Sequence, residues 1–177
     1  MRKHEDPAAQ ERRQNAQSEM MSAAHNAVHR VALMLEDPAH VANAPIFVGA
    51  KTTEPTVRPL TRLEAAVWLR GRADQQVHSA ITKARGAGAT WAEIGKVLDL
   101  PEQRGDYDLA VAAFEYALGY SFSDQNVYYD CGACGQGIKD HGPYDPHPED
   151  QESGHAETCE RLRAAVAAYK RRMGDDY

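Results

Sequence analysis

The 177-residue sequence predicts a mainly α-helical fold that closes with a small module of a β-hairpin and a helix. Three observations predict it. First, apolar residues recur at helical steps in separate stretches: Met21, Ala24, Val28, Val31 and Leu35; then Leu63, Val67, Val77, Ile81 and Ala84; then Leu162, Val166, Tyr169 and Met173. Second, Pro38, Pro45, Pro55 and Pro59 crowd into one connector between the first two stretches. Third, all three cysteines fall between Tyr128 and Arg172, where Cys131 and Cys134 form C-x2-C and His155 and Cys159 form H-x3-C.

Taken in order, residues 1–16 are polar and charged and are expected to be a flexible N-terminal arm, with a frayed helix as the alternative. A helical domain is expected over residues 17–120. Its first helix runs to Glu36 and ends at Asp37-Pro38, because the residue before a proline is driven out of the α region. His25 and His29 flank this helix in the sequence HNAVH, which lacks the glutamate of a metalloprotease helix, so they read as a solvated flank. The connector that follows holds one extended piece at Ile46-Phe47-Val48. Thr61 and Glu64 form a capping box for the next helix, which runs to about Arg85 and stops at Gly86 and Gly88. Thr90 and Glu93 repeat the capping box for a short helix bearing Trp91, Ile94, Val97 and Leu98.

The C-terminal module is expected over residues 121–177. Glycines 132 and 135 bend the C-x2-C so that two thiolates turn toward one point, and a helix opening at His155 puts His155 and Cys159 on one face. Three thiolates and an imidazole in a closed tetrahedral set suit Zn2+, so Cys131, Cys134, His155 and Cys159 are the candidate ligands. A hairpin from residues 126–129 and 137–139 would carry the first pair. Three other readings compete: a structural cysteine with a capping histidine, a redox dithiol, and an iron–sulfur cluster. The dithiol reading lacks the helix that lowers the first thiol's pKa, since Gly135-Gln136-Gly137 follows. His141 and His147 are alternative ligands within the intervening loop.

Composition narrows the function. No apolar run reaches the roughly 18 residues of a membrane span, and no apolar signal segment is present, so a cytoplasmic, non-membrane protein is expected. No phosphate-cradling loop or nucleophile–base set is present, and a closed four-ligand site leaves no open metal position, so a non-enzyme is expected. The net charge is −6, distributed unevenly: residues 61–89 carry +3, residues 90–119 carry −4 and residues 120–152 carry −6.

The segment ARGAGATWAEIGKVLDL, residues 84–100, resembles the first two helices and turn of the bacterial helix-turn-helix class, including region-4-like sigma-factor domains. Gly95 fills the small position after the isoleucine. Asp99 stands where the turn glycine usually is, and Leu100 supplies the apolar residue after it. The resemblance implies a helix-turn-helix-like unit over residues 61–118. The next segment departs from the pattern: PEQRGDYDLAVAAFEYAL is interrupted by Gly105 and is apolar and acidic from Tyr107 to Leu118, where a recognition helix needs polar or basic side chains. The whole layout resembles small bacterial helix-turn-helix proteins with a C-terminal CxxC…HxxxC module. That resemblance implies a DNA-associated context, so a DNA-binding or transcription-associated regulator that meets double-stranded DNA is expected, and the basic and polar residues Lys83, Arg85, Gln103 and Arg104 are its candidate contacts. The alternative is an adaptor that binds a protein partner. The oligomeric state is not legible.

Overall fold

The fold is described from a computed structural model over residues 6–101, 106–119 and 125–174. The described residues are mainly helical, with two small antiparallel sheets. The chain divides into two compact units, residues 1–74 and 75–177.

The first unit begins with helix α1, Pro7–Leu35. The stretch expected as an arm is thus helical from Pro7. Asp6 caps the helix by accepting from the Ala8 N–H at 3.1 Å, and Pro7 occupies the first turn, where its missing N–H costs nothing. After α1 comes a 3-10 turn, Pro38–His40, capped by Asp37, and then a hairpin of β1, Ala42–Pro45, and β2, Thr53–Thr56. The register pairs Ala42 with Thr56 and Pro45 with Thr53. Ile46, Phe47 and Val48, expected as an extended piece, sit in the hairpin loop and are exposed. Backbone pairing places this two-stranded sheet, and its strands tolerate proline because both are edges.

Glu36 holds this unit together. Its side chain is buried and accepts from the Arg58 N–H at 2.9 Å, from Arg58 Nε at 3.0 Å and Nη2 at 2.7 Å, and from the Thr61 hydroxyl at 2.9 Å. That last bond corrects the expected cap. Helix α2 runs Pro59–Gly86, starting before Thr61, whose hydroxyl serves Glu36. Ala32 and Ala65 are fully buried, whereas Leu63 and Val67, expected inward, stand more than half exposed.

In the second unit, the last turns of α2 pack with α3, Trp91–Val97, and α4, Asp106–Leu118. Ile81, Trp91, Ile94, Ala113, Phe114 and Ala117 form the core, and Trp91 meets Phe114 edge to face at 5.2 Å. The Thr90–Glu93 capping box is present on both sides. Gly95 is required by close approach: a Cβ there would lie 2.7 Å from Leu109 Cγ, so any side chain would push α4 off α3. Asp99 takes the turn in the left-handed region at φ 53°. Aspartate tolerates that conformation better than most residues do.

The hairpin of β3, Val127–Asp130, and β4, Gly137–Asp140, forms as expected, and β5, Glu152–Ser153, adds a third strand beside β4. Short helix α5, Pro148–Gln151, leads into β5, and α6, Glu160–Met173, ends the described chain. The hairpin is fastened to the end of α2. The Gly132 N–H donates to the Gly86 carbonyl at 2.9 Å, and a Cβ on Gly86 would overlap the Asp130 carbonyl. Asp140 is fully buried and accepts from Arg85 Nε at 2.9 Å and Nη2 at 2.6 Å, from Trp91 Nε1 at 3.1 Å and from the Gly142 N–H at 2.9 Å.

Two outcomes follow. The Arg58 side-chain bonds, with help from the Arg58 N–H and Thr61, hold the Glu36 carboxyl at about 2, against 4.5 ordinarily, despite the opposing cost of burial. A depressed folded-state pKa gives stability that is present above the unfolded value and fades as pH falls from 4.5 to about 2. The Ala32 and Ala65 methyl resonances should therefore lose their dispersion over that window in urea, and Glu36→Gln should be weaker at neutral pH and flat below it. Equal acid sensitivity of both proteins would refute this role. In the second unit, Asp140→Ala leaves Arg85 buried without its main partner. It should cost about 3–5 kcal/mol in urea unfolding, and a loss under 1 kcal/mol would show the pair to be incidental.

Candidate metal centre

Cys131 follows β3 directly. Its N–H donates to the Gln136 carbonyl at 2.9 Å and its carbonyl accepts from the Gly135 N–H at 2.7 Å, closing a tight turn that carries Cys134 back toward Cys131. Gly135 takes φ 68°, which the turn demands and a side chain would resist. On the other side, the expected helix position of His155 is corrected. Helix α6 opens at Glu160 with Cys159 at its N-cap, and His155 lies outside it, just ahead of the turn that leads in. A turn closed by the Cys159 N–H on the Ala156 carbonyl at 2.8 Å brings the two residues together in place of a helical i,i+4 face.

Cys131, Cys134, His155 and Cys159 converge, and one ligand atom from each lies within 4.8 Å of all the others. The Cys131 and Cys159 sulfurs are 3.9 Å apart, and the Cys134 sulfur is 3.8 Å from His155 Nδ1. Four ligands about 2.3 Å from one ion in a tetrahedron are spaced about 3.7 Å apart, so the cluster has the right size to hold a metal ion. Cys131, Cys159 and the His155 ring are almost wholly buried, and Cys134 is half-buried.

The surroundings favour anionic sulfur at one corner. Backbone N–H groups of Ala156 and Gln136, then His155, lower the Cys134 thiol to about 6. At Cys159 the Leu162 N–H pulls the same way, but burial and the Cys134 and Cys131 sulfurs outweigh it and push the thiol up. A cation at the centre would remove that sulfur–sulfur repulsion. His155 Nε2 donates to Glu152 Oε2 at 2.8 Å, which leaves the Nδ1 lone pair facing Cys134 and the centre.

Glu152 belongs to a larger buried set. Its Oε1 accepts from Arg85 Nη2 and from Arg161 Nη2, the latter at 2.8 Å, and Arg161 also donates to the Tyr129 hydroxyl at 2.9 Å and the Arg85 carbonyl at 2.8 Å. Burial pushes the Glu152 carboxyl up, but Arg85 first, then Tyr129, His155 and Arg161, bring it below its ordinary value. Burial pushes the Tyr129 phenol up. Asp140 and Glu152 carry no spacing signal and read as solvated acidic loop, and Arg161 reads as one of the scattered arginines of the last helix.

His141 and His147 stand outside the cluster. His141 pairs with the Ser153 hydroxyl at 3.1 Å, and His147 caps α5 and packs edge to face on Tyr169 at 4.9 Å. Of the residues expected to meet DNA, Gln103 and Arg104 lie outside the described residues. Arg85 is corrected: it is 6 % exposed, ion-paired to Asp140 and Glu152, and flanked by the Trp91 and Tyr129 rings, so no phosphate can reach it. Lys83 is exposed on the last turn of α2. In α4, Leu109, Ala110, Ala113, Phe114 and Ala117 are buried. No helix among the described residues is long and apolar enough to cross a membrane. Comparison with protein-family models, curated proteins and solved structures gave no match.

Elemental analysis of protein purified without added metal should find about one divalent ion per chain. Cys134→Ser removes a ligand and should lower that content severalfold after brief dialysis against a chelator. Metal-free parent protein would show that the cluster is an apolar cysteine nest.

Proposed function

We propose that the chain is a zinc-stapled adaptor that binds a protein partner. Zinc is the ion because three thiolates and one imidazole are a soft, closed tetrahedral set. All four positions come from the protein, which leaves none for a substrate, so the role read here is structural and the function is binding.

The observation that carries the adaptor reading is an apolar groove of about 440 Å³ between the end of α2 and α3, lined by Val77, Ile81, Ala84, Ile94, Val97 and Leu98. Val97 is 86 % exposed on a helix whose other face is core. Apolar surface left open between two helices suits the apolar face of a partner's amphipathic segment. The resemblance to a helix-turn-helix supports the shape of α2, α3 and their turn. The burial of α4 and of Arg85 counts against that unit reading DNA, because a recognition helix must offer its side chains to the groove.

A second reading, DNA association, is favoured by α6. This helix follows the Cys159 ligand directly and exposes Arg163, Lys170, Arg171 and Arg172. Salt separates the two. Contacts through phosphates release counterions and weaken by orders of magnitude between about 50 and 200 mM salt, whereas an apolar protein interface holds. A photo-crosslinker at position 97 should join a protein partner whose capture survives high salt and is lost in Val97→Glu with the fold intact. Salt-sensitive duplex binding that Arg163→Glu with Lys170→Glu abolishes and Val97→Glu leaves unchanged would replace the adaptor reading with the DNA one.

A further inference from the structure

We infer that Glu152 is the positioning residue of the metal centre, and that through it metal occupancy governs the Arg85 clamp on which the second unit's helices close. The inference rests on the zinc reading above. Glu152 has two carboxylate oxygens with separate duties. Oε2 accepts from His155 Nε2 at 2.8 Å and so orients the ligand ring. Oε1 accepts from both Arg85 and Arg161. The side chain is 12 % exposed, so most of its surface is given to these partners and not to solvent.

From Arg85 the connections run directly into the helical core. Its Nη1 donates to the Ala89 carbonyl at 2.6 Å, in the turn between α2 and α3, and its Nε and Nη2 hold Asp140. Asp140 in turn accepts from Trp91 Nε1 at the first residue of α3. A metal that fixes His155 therefore fixes Glu152, which fixes Arg85, which sets how α3 leaves the end of α2. The connection is physical at every step, each a charge-assisted hydrogen bond between buried or part-buried groups. Without the ion, the His155 ring is held by its hydrogen bonds to Glu152 and Cys134 alone, and coordination no longer fixes the ring against which Glu152 is set.

The test uses the full chain in a Trp68→Phe background, which removes the exposed tryptophan and leaves Trp91 as the reporter. Zinc affinity is read by competition with a chromophoric chelator and, independently, from the d–d spectrum of the cobalt-loaded protein. Glu152→Ala should bind zinc 10–100-fold more weakly, the range typical for loss of a ligand's outer partner. Glu152→Gln keeps an oxygen that accepts from His155 but loses its charge toward the arginines. It should recover most of the affinity and an unaltered cobalt spectrum. In the parent, stripping the metal should shift Trp91 emission to the red, and Glu152→Gln should show the shifted emission even when saturated with zinc. Unchanged zinc affinity in Glu152→Ala overturns the positioning role. Trp91 emission indifferent to metal in a parent that binds it overturns the coupling. A parent that takes up no ion at all overturns the zinc reading itself, and the inference with it.

Discussion

The buried pairing of Arg85 with Asp140 and Glu152 is the interaction on which the second unit depends. A guanidinium taken out of water costs several kcal/mol unless its charge and its donors are met. Here Nε, Nη1 and Nη2 all find acceptors, and two aromatic rings cover the guanidinium at 4.9 and 5.5 Å. Two carboxylates around one arginine would leave a buried negative charge. Arg161 supplies the second cation through Glu152, so the set closes with two positive and two negative groups. Such a set holds one geometry well, and the loss of any member leaves another charge short of a partner. It joins the end of α2, the start of α3, strands β4 and β5, and α6.

The cysteine–histidine cluster sits beside this set and touches it through the His155 bond to Glu152. Gathering three thiols and an imidazole within a few ångströms is unfavourable while the sulfurs carry charge and no cation balances them. The shifts at Cys134 and Cys159 run opposite ways: backbone donors make the Cys134 thiolate easy, while burial, then the hydrogen bonds with the Cys134 and Cys131 sulfurs, make the Cys159 one hard. Binding energy supplied by an ion would therefore enter the folding of residues 131–159 directly. The same energy would bear on α2 and α3, because the Gly132–Gly86 bond and the shared Glu152 leave the hairpin no way to order alone.

Much of this was legible in the sequence where the signal is local. The helices announce themselves through periodicity, the capping box at Thr90 and Glu93 through spacing, and the cysteine–histidine pairs through composition within 29 residues, 131–159. The hairpin of β3 and β4 was legible because the C-x2-C needs one. What escaped is what depends on distance along the chain. Arg85 and Asp140 are 55 residues apart, and Arg85 and Glu152 are 67 apart, with no repeating pattern to link them. Arg85 therefore read as a surface cation aimed at phosphate, and Asp140 and Glu152 read as members of a solvated acidic run. Thr61 misled for a related reason. Its capping-box partner is local, but the buried Glu36 carboxylate, 25 residues earlier, competes for the hydroxyl and takes it.

The same accounting explains why the shape around α3 and its surface point in different directions. Gly95, the left-handed Asp99 and the Leu100 N–H on the Gly95 carbonyl at 3.1 Å build a tight turn after α3, and Leu109 then packs against Gly95. That packing turns the apolar side of α4 inward and leaves Glu115 facing solvent. With Arg85 committed to the interior, Lys83 is the cation that the last turn of α2 still presents. Among the described residues, Lys83 on α2 and Lys96 on α3 stay exposed, α6 exposes Arg163, Lys170, Arg171 and Arg172, and apolar surface opens in the groove beside Val97. By holding the Ala89 carbonyl, the buried Arg85 fixes the turn between α2 and α3 that borders that groove.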